Sequence, residues 1–307
     1  MPDLNALPLD RLYGELGAGG LILRALELAR DEDLGHGDIT SGACIDAAAR
    51  GQGVIVARAR GVVAGLAALP DLLRVFGGTL RAHPLTRDGA DGRAGAGVAR
   101  LSGPLHELLA LERTALNLLG RLSGVATLTR SYVTAAAQGS PKAGVYDTRK
   151  TTPGLRALEK YAVRCGGGRS HRLGLFDAVL IKDNHLAGVP AGRLGAFIRD
   201  AARRARAASP GLLFVEAEVD TLEQLGQVLA LEPGTVNIVL LDNMTVDELR
   251  RAVALRDASP ARPELEASGG VRLETIAAIA ATGVDRISAG ALTHSAASLD
   301  VALEVEA

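Results

Sequence analysis

"LLFVEAEVDTLEQLGQVLALEPGTVNIVLLDN", residues 212–243, reads as strand, helix, strand. Two near-continuous apolar runs, LLFVEAE ending at Glu218 and NIVLLD ending at Asp242, flank an amphipathic helix, which is the pattern of a parallel βαβ unit. The same rhythm holds from about residue 143 onward: AGVYD ends at Asp147, AVLIK at Lys182, ELEAS at Ser268 and VDRISAG at Gly290. Six such units without reversal predict an α/β fold with a closed or nearly closed barrel. Carboxyl ends of barrel strands form the active-site face, so Asp147, Lys182, Glu218, Asp242 and Ser268 are expected around one mouth. A polar residue at one strand end is by default a loop beginning. A lysine, two acids and small residues at successive ends weigh against that default. Glu216 shares the strand face of Glu218 by the period of two, and Glu218, nearer the mouth, is the preferred acid.

The first third reads as mixed α/β. Apolar periodicity predicts one helix over residues 7–30, GVIVARARGVVAGL (53–66) alternates like a hairpin around a glycine, and TRDGADGRAGAG (86–97) is a surface loop. A long helix follows, with Pro104 in its first turn. Leu105, Leu108, Leu109, Ala115, Leu116, Leu119 and Leu122 form its apolar stripe, and Arg113, Asn117 and Arg121 face away from that core.

With 307 residues the chain can bury a large core, but with 3% aromatics that core is built from Ala, Leu and Val. So few rings leave no base-stacking platform, and a net charge of −1 gives no global field for nucleic acid. Two cysteines, Cys44 and Cys165, make no disulfide framework. The start of the chain lacks a signal-peptide pattern and no apolar run is long enough for a membrane span, so a soluble protein of the reducing cytoplasm is expected.

Charge is local instead. The chain's four lysines, Lys142, Lys150, Lys160 and Lys182, bound a segment with nine Lys or Arg residues against Asp147, Glu159 and Asp177. That segment is expected to meet an anion. Lys150 and Lys182 read as chemical, and Lys142 and Lys160 as surface charges. CGGGRSHR offers backbone amides beside His171 and Arg172, though a glycine run alone is as well a flexible turn. SGGVRLET and AGALTHS make Ser268, Gly269, Gly270 and Gly290 candidate phosphate contacts. Ordinary helix capping explains the same residues equally well without the barrel context. Glu218 and Asp242, ending neighbouring strands, suit Mg²⁺ through oxygen ligation.

The stretches DLGHGDITS, ERTALNLLGRLSGVAT, YDTRKTTPGLRALEKYAVRCGGGRSHRLGLFDAVLIKDNH, EAEVDTLEQL, LLDN, EASGGV and TGVDRISAGALTHS together resemble the quinolinate phosphoribosyltransferase family, in order along nearly the whole chain. The resemblance implies a pentosyltransferase: quinolinate and phosphoribosyl pyrophosphate, with Mg²⁺, give nicotinate mononucleotide, pyrophosphate and CO₂ in de novo NAD synthesis. It implies an N-terminal α/β sandwich (residues 1–118, joined by 297–307) and an incomplete TIM-like α/β barrel (119–296). It further implies a homodimer with shared sites, Arg113 being lent to the partner, and leaves open assembly beyond the dimer. By the same resemblance Thr148, Arg149, His171, Arg172 and Lys182 hold quinolinate, with Lys150 and Lys182 reaching both ligands. Lys150, Glu218, Asp242, Ser268, Gly269, Gly270, Gly290 and His294 serve the phosphoribosyl pyrophosphate. Where the family usually reads Asn-His-Arg, this chain has Ser170-His171-Arg172. The competing readings are a paralogue of the kind found in molybdate uptake operons, a nicotinate-specific transferase, and a Schiff-base lyase using Lys182.

Overall fold

Val215, Ala217 and Val219 alternate with Glu216 and Glu218 on a strand that is buried along its whole length. Period two sends the apolar set and the acids to opposite faces, so this sheet has an apolar outside and a charged inside. The computed structural model describes residues 3–306, with strands β1 (Arg50–Ala57), β2 (Gly61–Val62), β3 (Arg81–Pro84), β4 (Asp91–Gly92), β5 (Gly97–Pro104), β6 (Gly144–Tyr146), β7 (Val179–Ile181), β8 (Val215–Val219), β9 (Ile238–Asp242), β10 (Glu264–Ser268), β11 (Arg286–Ser288) and β12 (Val301–Glu306). Residues 1, 2 and 307, which the expected domain ranges and the stretch read for a signal peptide include, lie outside the described residues.

Spatial packing divides the chain into two units. One holds the segment ending at Asn5 with Ser131–Arg149 and Arg169–Ala291; the other holds Ala6–Arg130, Lys150–Gly168 and the segment from Leu292. The expected break at 118/119 falls inside the helix Leu105–Gly139, which both units share.

In the first unit, β6 to β11 form one parallel sheet in the order β6-β11-β10-β9-β8-β7. Sequence neighbours pair from β7 to β11, and β6 then joins β11. The sheet therefore winds around as a barrel with one seam, between β6 and β7. Two of the helices between the strands, Leu222–Leu229 and Val246–Ala258, begin with capping boxes, Thr221 with Gln224 and Thr245 with Glu248. In Leu194–Ala208 and these two helices the buried side includes Ile198, Ala202, Leu225, Leu249 and Ala252.

The other unit carries an antiparallel sheet in the order β12-β1-β5-β3. Two of its expected elements differ. Residues 7–30 form two helices, Leu9–Gly17 and Leu21–Leu34, because the chain turns through a left-handed Gly20 at φ 71°. The hairpin over 53–66 does not exist: β1 pairs with β5 and β12, and β2 pairs with β4 inside the glycine-rich 86–97 loop. Seven-residue pairing with β5 and six-residue pairing with β12 outweigh what the two residues of β2 could offer.

Pro104 ends β5, and the helix starts at Leu105. Leu108, Ala115, Leu116, Leu119 and Leu122 are buried as expected, while Leu105 and Leu109 are half-buried. Arg121 does not face solvent. Its guanidinium donates to Glu159, which is 0% exposed, and to the carbonyl of Ala296. Thr152 also donates to Glu159, through both its amide and its hydroxyl, so the buried carboxylate has a full set of partners. Lys160 is equally no surface charge, being fully buried on the same helix, Arg156–Cys165. A ten-residue helix with both faces covered hides charges that the sequence pattern assigns to solvent.

The helix Leu105–Gly139 is approached closely at Gly124, where a Cβ would run into the carbonyl oxygen of Ala297 and lie 3.0 Å from Ser298 Cα. Gly124→Ala is expected to destabilise the protein by about 2–3 kcal/mol, read as a melting midpoint several degrees lower. An unchanged midpoint would show that the 297–298 segment yields freely.

Candidate active site

The seam of the barrel decides where the site's basic residues go. The open edge of β6 is met by Arg169, whose amide donates to Val145 O at 2.8 Å and whose carbonyl accepts from Asp147 N at 3.0 Å, a parallel bridge. The segment after the glycine run thus stands where a strand is missing. Its next residue, Ser170, exchanges two hydrogen bonds with the Asn5 side chain, at 2.7 and 2.9 Å. Asp147, expected at the mouth, is instead fully buried and accepts the amide of His171 at 2.9 Å. Its role is to hold the turn.

His171 then points into the barrel. Nε2 lies 2.9 Å from Glu216 and 3.4 Å from Glu266, and Nδ1 accepts the amide of Arg172 at 2.7 Å. Arg286 Nε donates to Glu266 at 2.6 Å, and its guanidinium lies 3.7 Å from the centre of the Tyr146 ring. All of these groups are nearly or completely inaccessible. Among the described residues, His171, Glu216 and Glu266 are the only cluster of three metal-type donors. The guanidinium of Arg286 already supplies the positive charge there, and the Nε2 hydrogen faces the acids, so a cation would have to displace both.

Burial opposes charge on each group, and the neighbours decide the result. Burial would make His171 less basic, but Glu266 and Glu216 raise it to about 10. Burial and the Glu266 charge push Glu216 up. Against the burial effect, His171 and Arg286 hold Glu266 down to about 2. An imidazolium would need a hydrogen on Nδ1, which the Arg172 amide already occupies. The geometry therefore favours the Nε2–H ring, with the additional proton on the Glu216 side of the acid pair. In either arrangement the cluster binds one proton more than the same groups would when unfolded.

Nearer the strand ends, Lys182 Nζ pairs with Glu218 at 2.9 Å. Glu216 and Glu218 point to the same face, as the period requires, and they divide the work: Glu216 serves His171 and Glu218 serves the mouth. Asp242 is half-buried and accepts from Asn243 Nδ2 at 2.6 Å. The turn after β10 needs its glycines. Gly269 has φ 86° and Gly270 has φ 58°, and a Cβ on Gly269 would run into the Asn243 side chain. The following helix begins only at Ile276, so Ser268, Gly269 and Gly270 do not cap it. Gly290 directly precedes the short helix Ala291–His294.

Arg172 is buried and donates to Ala178 O at 3.3 Å. Burial, and next the guanidinium of Arg149, make Arg172 less basic than usual. Two guanidinium groups near each other favour an anion between them. Thr148 is half-buried beside Arg149 in the chain. In the other unit, the carbonyl of exposed Lys150 accepts from Thr293 at 2.7 Å, His294 is exposed with Nδ1 2.8 Å from Ser295 Oγ, and Arg113 is exposed. Glu266, Arg286 and Asn5 escaped the sequence reading. Charged residues inside apolar parallel strands, as in ELEAS and VDRISAG, were the available signal for the first two.

The profile described as Quinolinate phosphoribosyl transferase, C-terminal domain, matches residues 125–304, and that of the N-terminal domain matches 38–123. The chain is 46% identical over 280 residues to the Nicotinate-nucleotide pyrophosphorylase [carboxylating] of Mycobacterium leprae, covering 90% of this chain and 94% of that one. It is 40% identical over 274 residues to the probable enzyme of that name from Bacillus subtilis, covering 89% and 90%. The solved nicotinate-nucleotide pyrophosphorylase of Francisella tularensis superposes with a TM-score of 0.83 at 33% identity, covering 100% of both chains.

The proton held by the barrel cluster makes stability depend on pH. His171 and Glu216 bind protons more tightly folded than unfolded, so stability is greatest below the unfolded histidine value and is lost as pH rises toward about 10. The thermal midpoint is expected to fall between about pH 6.5 and 8.5, by at most ~1.4 kcal/mol per pH unit. At the acid end, Glu266 gives the opposite slope between about pH 4.5 and 2. A midpoint rising from neutral to mildly alkaline pH would contradict the cluster's extra proton.

Proposed function

The chain belongs to the quinolinate phosphoribosyltransferase family, and from that membership we propose how its residues divide the reaction. The enzyme transfers the phosphoribosyl group from phosphoribosyl pyrophosphate to quinolinate with loss of CO₂, yielding nicotinate mononucleotide and pyrophosphate in de novo NAD synthesis. The observation that carries the residue assignment is the pair of neighbouring guanidiniums, Arg149 and Arg172, in the unit that also holds the Lys182–Glu218 ion pair.

Quinolinate is a pyridine with two adjacent carboxylates. Arg149, Arg172 and Thr148 receive them, and Lys182 adds a compact charge that reaches toward both substrates. The fixed positive charge lowers the repulsion between these carboxylates and the phosphates of the second substrate. His171, both of whose ring nitrogens meet protein groups, contributes by holding Arg172 in place. Phosphate oxygens fall to Ser268, Gly269, Gly270 and Gly290.

The pyridine nitrogen forms a bond to the anomeric carbon as the bond to pyrophosphate breaks, and the ribose passes through a cationic, oxocarbenium-like state. A carboxylate at Glu218 stabilises that charge. Once ribosylated, the ring nitrogen is positive, so it accepts the electron pair released when the adjacent carboxylate departs as CO₂. The ring carbon left behind takes a proton. Magnesium, when bound with the pyrophosphate, would neutralise the leaving group. Glu218 and Asp242 would hold it. Two carboxylates fall short of six oxygens, so the phosphates and water would complete the set.

A Schiff-base role for Lys182 is disfavoured, since its Nζ is engaged by Glu218 as an ion. Among the described residues no helix is long and apolar enough to cross a membrane, in keeping with a cytoplasmic enzyme. We propose further that the enzyme is a homodimer in which exposed Arg113 enters the partner's site.

Purified enzyme given Mg²⁺, phosphoribosyl pyrophosphate and either quinolinate or nicotinate is expected to release CO₂ and mononucleotide with quinolinate alone. Glu218→Ala and Asp242→Ala should each lower kcat by at least ~10²-fold while calorimetric quinolinate binding persists. Product from nicotinate, or unchanged rates in both variants, would overturn the assignment. For the shared site, Arg113→Ala and Glu218→Ala proteins, each nearly inactive, should regain up to about a quarter of wild-type activity when mixed and allowed to exchange subunits. No recovery despite exchange would place Arg113 in its own subunit's chemistry or outside it.

A further inference from the structure

Glu266 is completely buried in the middle of β10, where no substrate reaches, yet the ring that bears on Arg172 ends at it. Around the His171 ring stand Glu216 from β8, Glu266 from β10, Arg286 from β11, Asp147 and Tyr146 from the β6 side, Arg172 as the next residue, and uncharged Phe214 edge-on at 5.4 Å. Asp147 fixes the main chain, since its oxygen accepts the His171 amide. At Nε2 the ring lies 2.9 Å from Glu216 and 3.4 Å from Glu266, and at Nδ1 it accepts the Arg172 amide. That last contact is the link outward, because the residue donating the amide is the one whose guanidinium is made less basic by burial and then by the charge of Arg149.

We propose that Glu266 is a positioning residue for quinolinate, holding the Nε2–H of His171 together with Glu216 so that Nδ1 stays free to accept the Arg172 amide. Glu266 also accepts Arg286 Nε at 2.6 Å, and the same guanidinium donates to exposed Glu264 at 3.3 Å, so Glu266 is held from β11 while it meets the ring. A simple structural salt bridge between Glu266 and Arg286 would stabilise the barrel without discriminating between the two substrates. A positioning role affects only the one that Arg172 binds. The inference rests on the proposal that Arg172 holds a quinolinate carboxylate.

Glu266→Gln keeps the shape and removes the charge, leaving Glu216 and Arg286 to balance each other. In this variant, calorimetry should show quinolinate binding weakened about tenfold with phosphoribosyl pyrophosphate binding unchanged. Glu266→Asp should recover part of the quinolinate affinity by restoring the charge. Quinolinate affinity within twofold of wild type, or both ligands weakened alike, would overturn the proposal. If the variant does not fold, ¹⁵N-histidine spectra of the wild-type enzyme decide: His171 should keep hydrogen on Nε2 and none on Nδ1 across about pH 6 to 8.5. A protonated Nδ1 would refute it. Wild-type enzyme that binds no quinolinate would instead refute the assigned substrate, while the spectra would still judge the cluster.

Discussion

The hydrogen bonds between Arg169 and the edge of β6 are the contacts on which the site depends. A parallel sheet wound into a barrel with a seam leaves an edge of unpaired amides and carbonyls, and such an edge must be satisfied. Here it is met by an irregular segment. A regular strand would alternate its side chains in and out; this segment bends after one bridge and sends His171 and then Arg172 into the barrel region. The incomplete barrel is thus the reason basic residues enter the sheet at a place other than a strand end.

Once there, the basic residues permit an interior that would otherwise be unstable. Glu216 and Glu266 are acids in the middle of buried strands, and neither could remain charged alone. The His171 ring, the Arg286 guanidinium and the face of Tyr146 make the pair tolerable. The barrel accordingly has two polar levels. The deeper one is closed upon itself; in the outer one buried Glu218 pairs with the more exposed Lys182, and Asp242 is half-buried.

Much of this was legible in sequence. The runs ending at Lys182, Glu218, Asp242 and Ser268 became β7 to β10 with ends within a residue of expectation, because continuous apolar runs between amphipathic helices have few alternative folds. Local pattern misled where packing overrode it. The 53–66 segment alternates as a hairpin should, but β1 found longer partners in β5 and in β12, some 250 residues away. Lys160 and Arg121 sit on faces that look solvated in isolation, and both are covered by chain remote in sequence. Glu266 looked like one acid in a short strand, since its partners, His171 and Arg286, come from an irregular segment far back in the chain and from β11.

By itself the sequence determined the order of βα units, the identity of the charged groups at the strand ends and, through its motifs, the family. These follow from periodicity and local composition, which any window of the chain contains. Tertiary structure alone decided that Glu216 and Glu218, two residues apart, serve different partners, that Asn5 clasps Ser170, and that His171 turns its ring toward carboxylates. Hydrogen-bond partners and local dielectric are set by atoms brought together across separations from 36 residues, for Lys182 and Glu218, to 165, for Asn5 and Ser170, and no spacing along the chain encodes them.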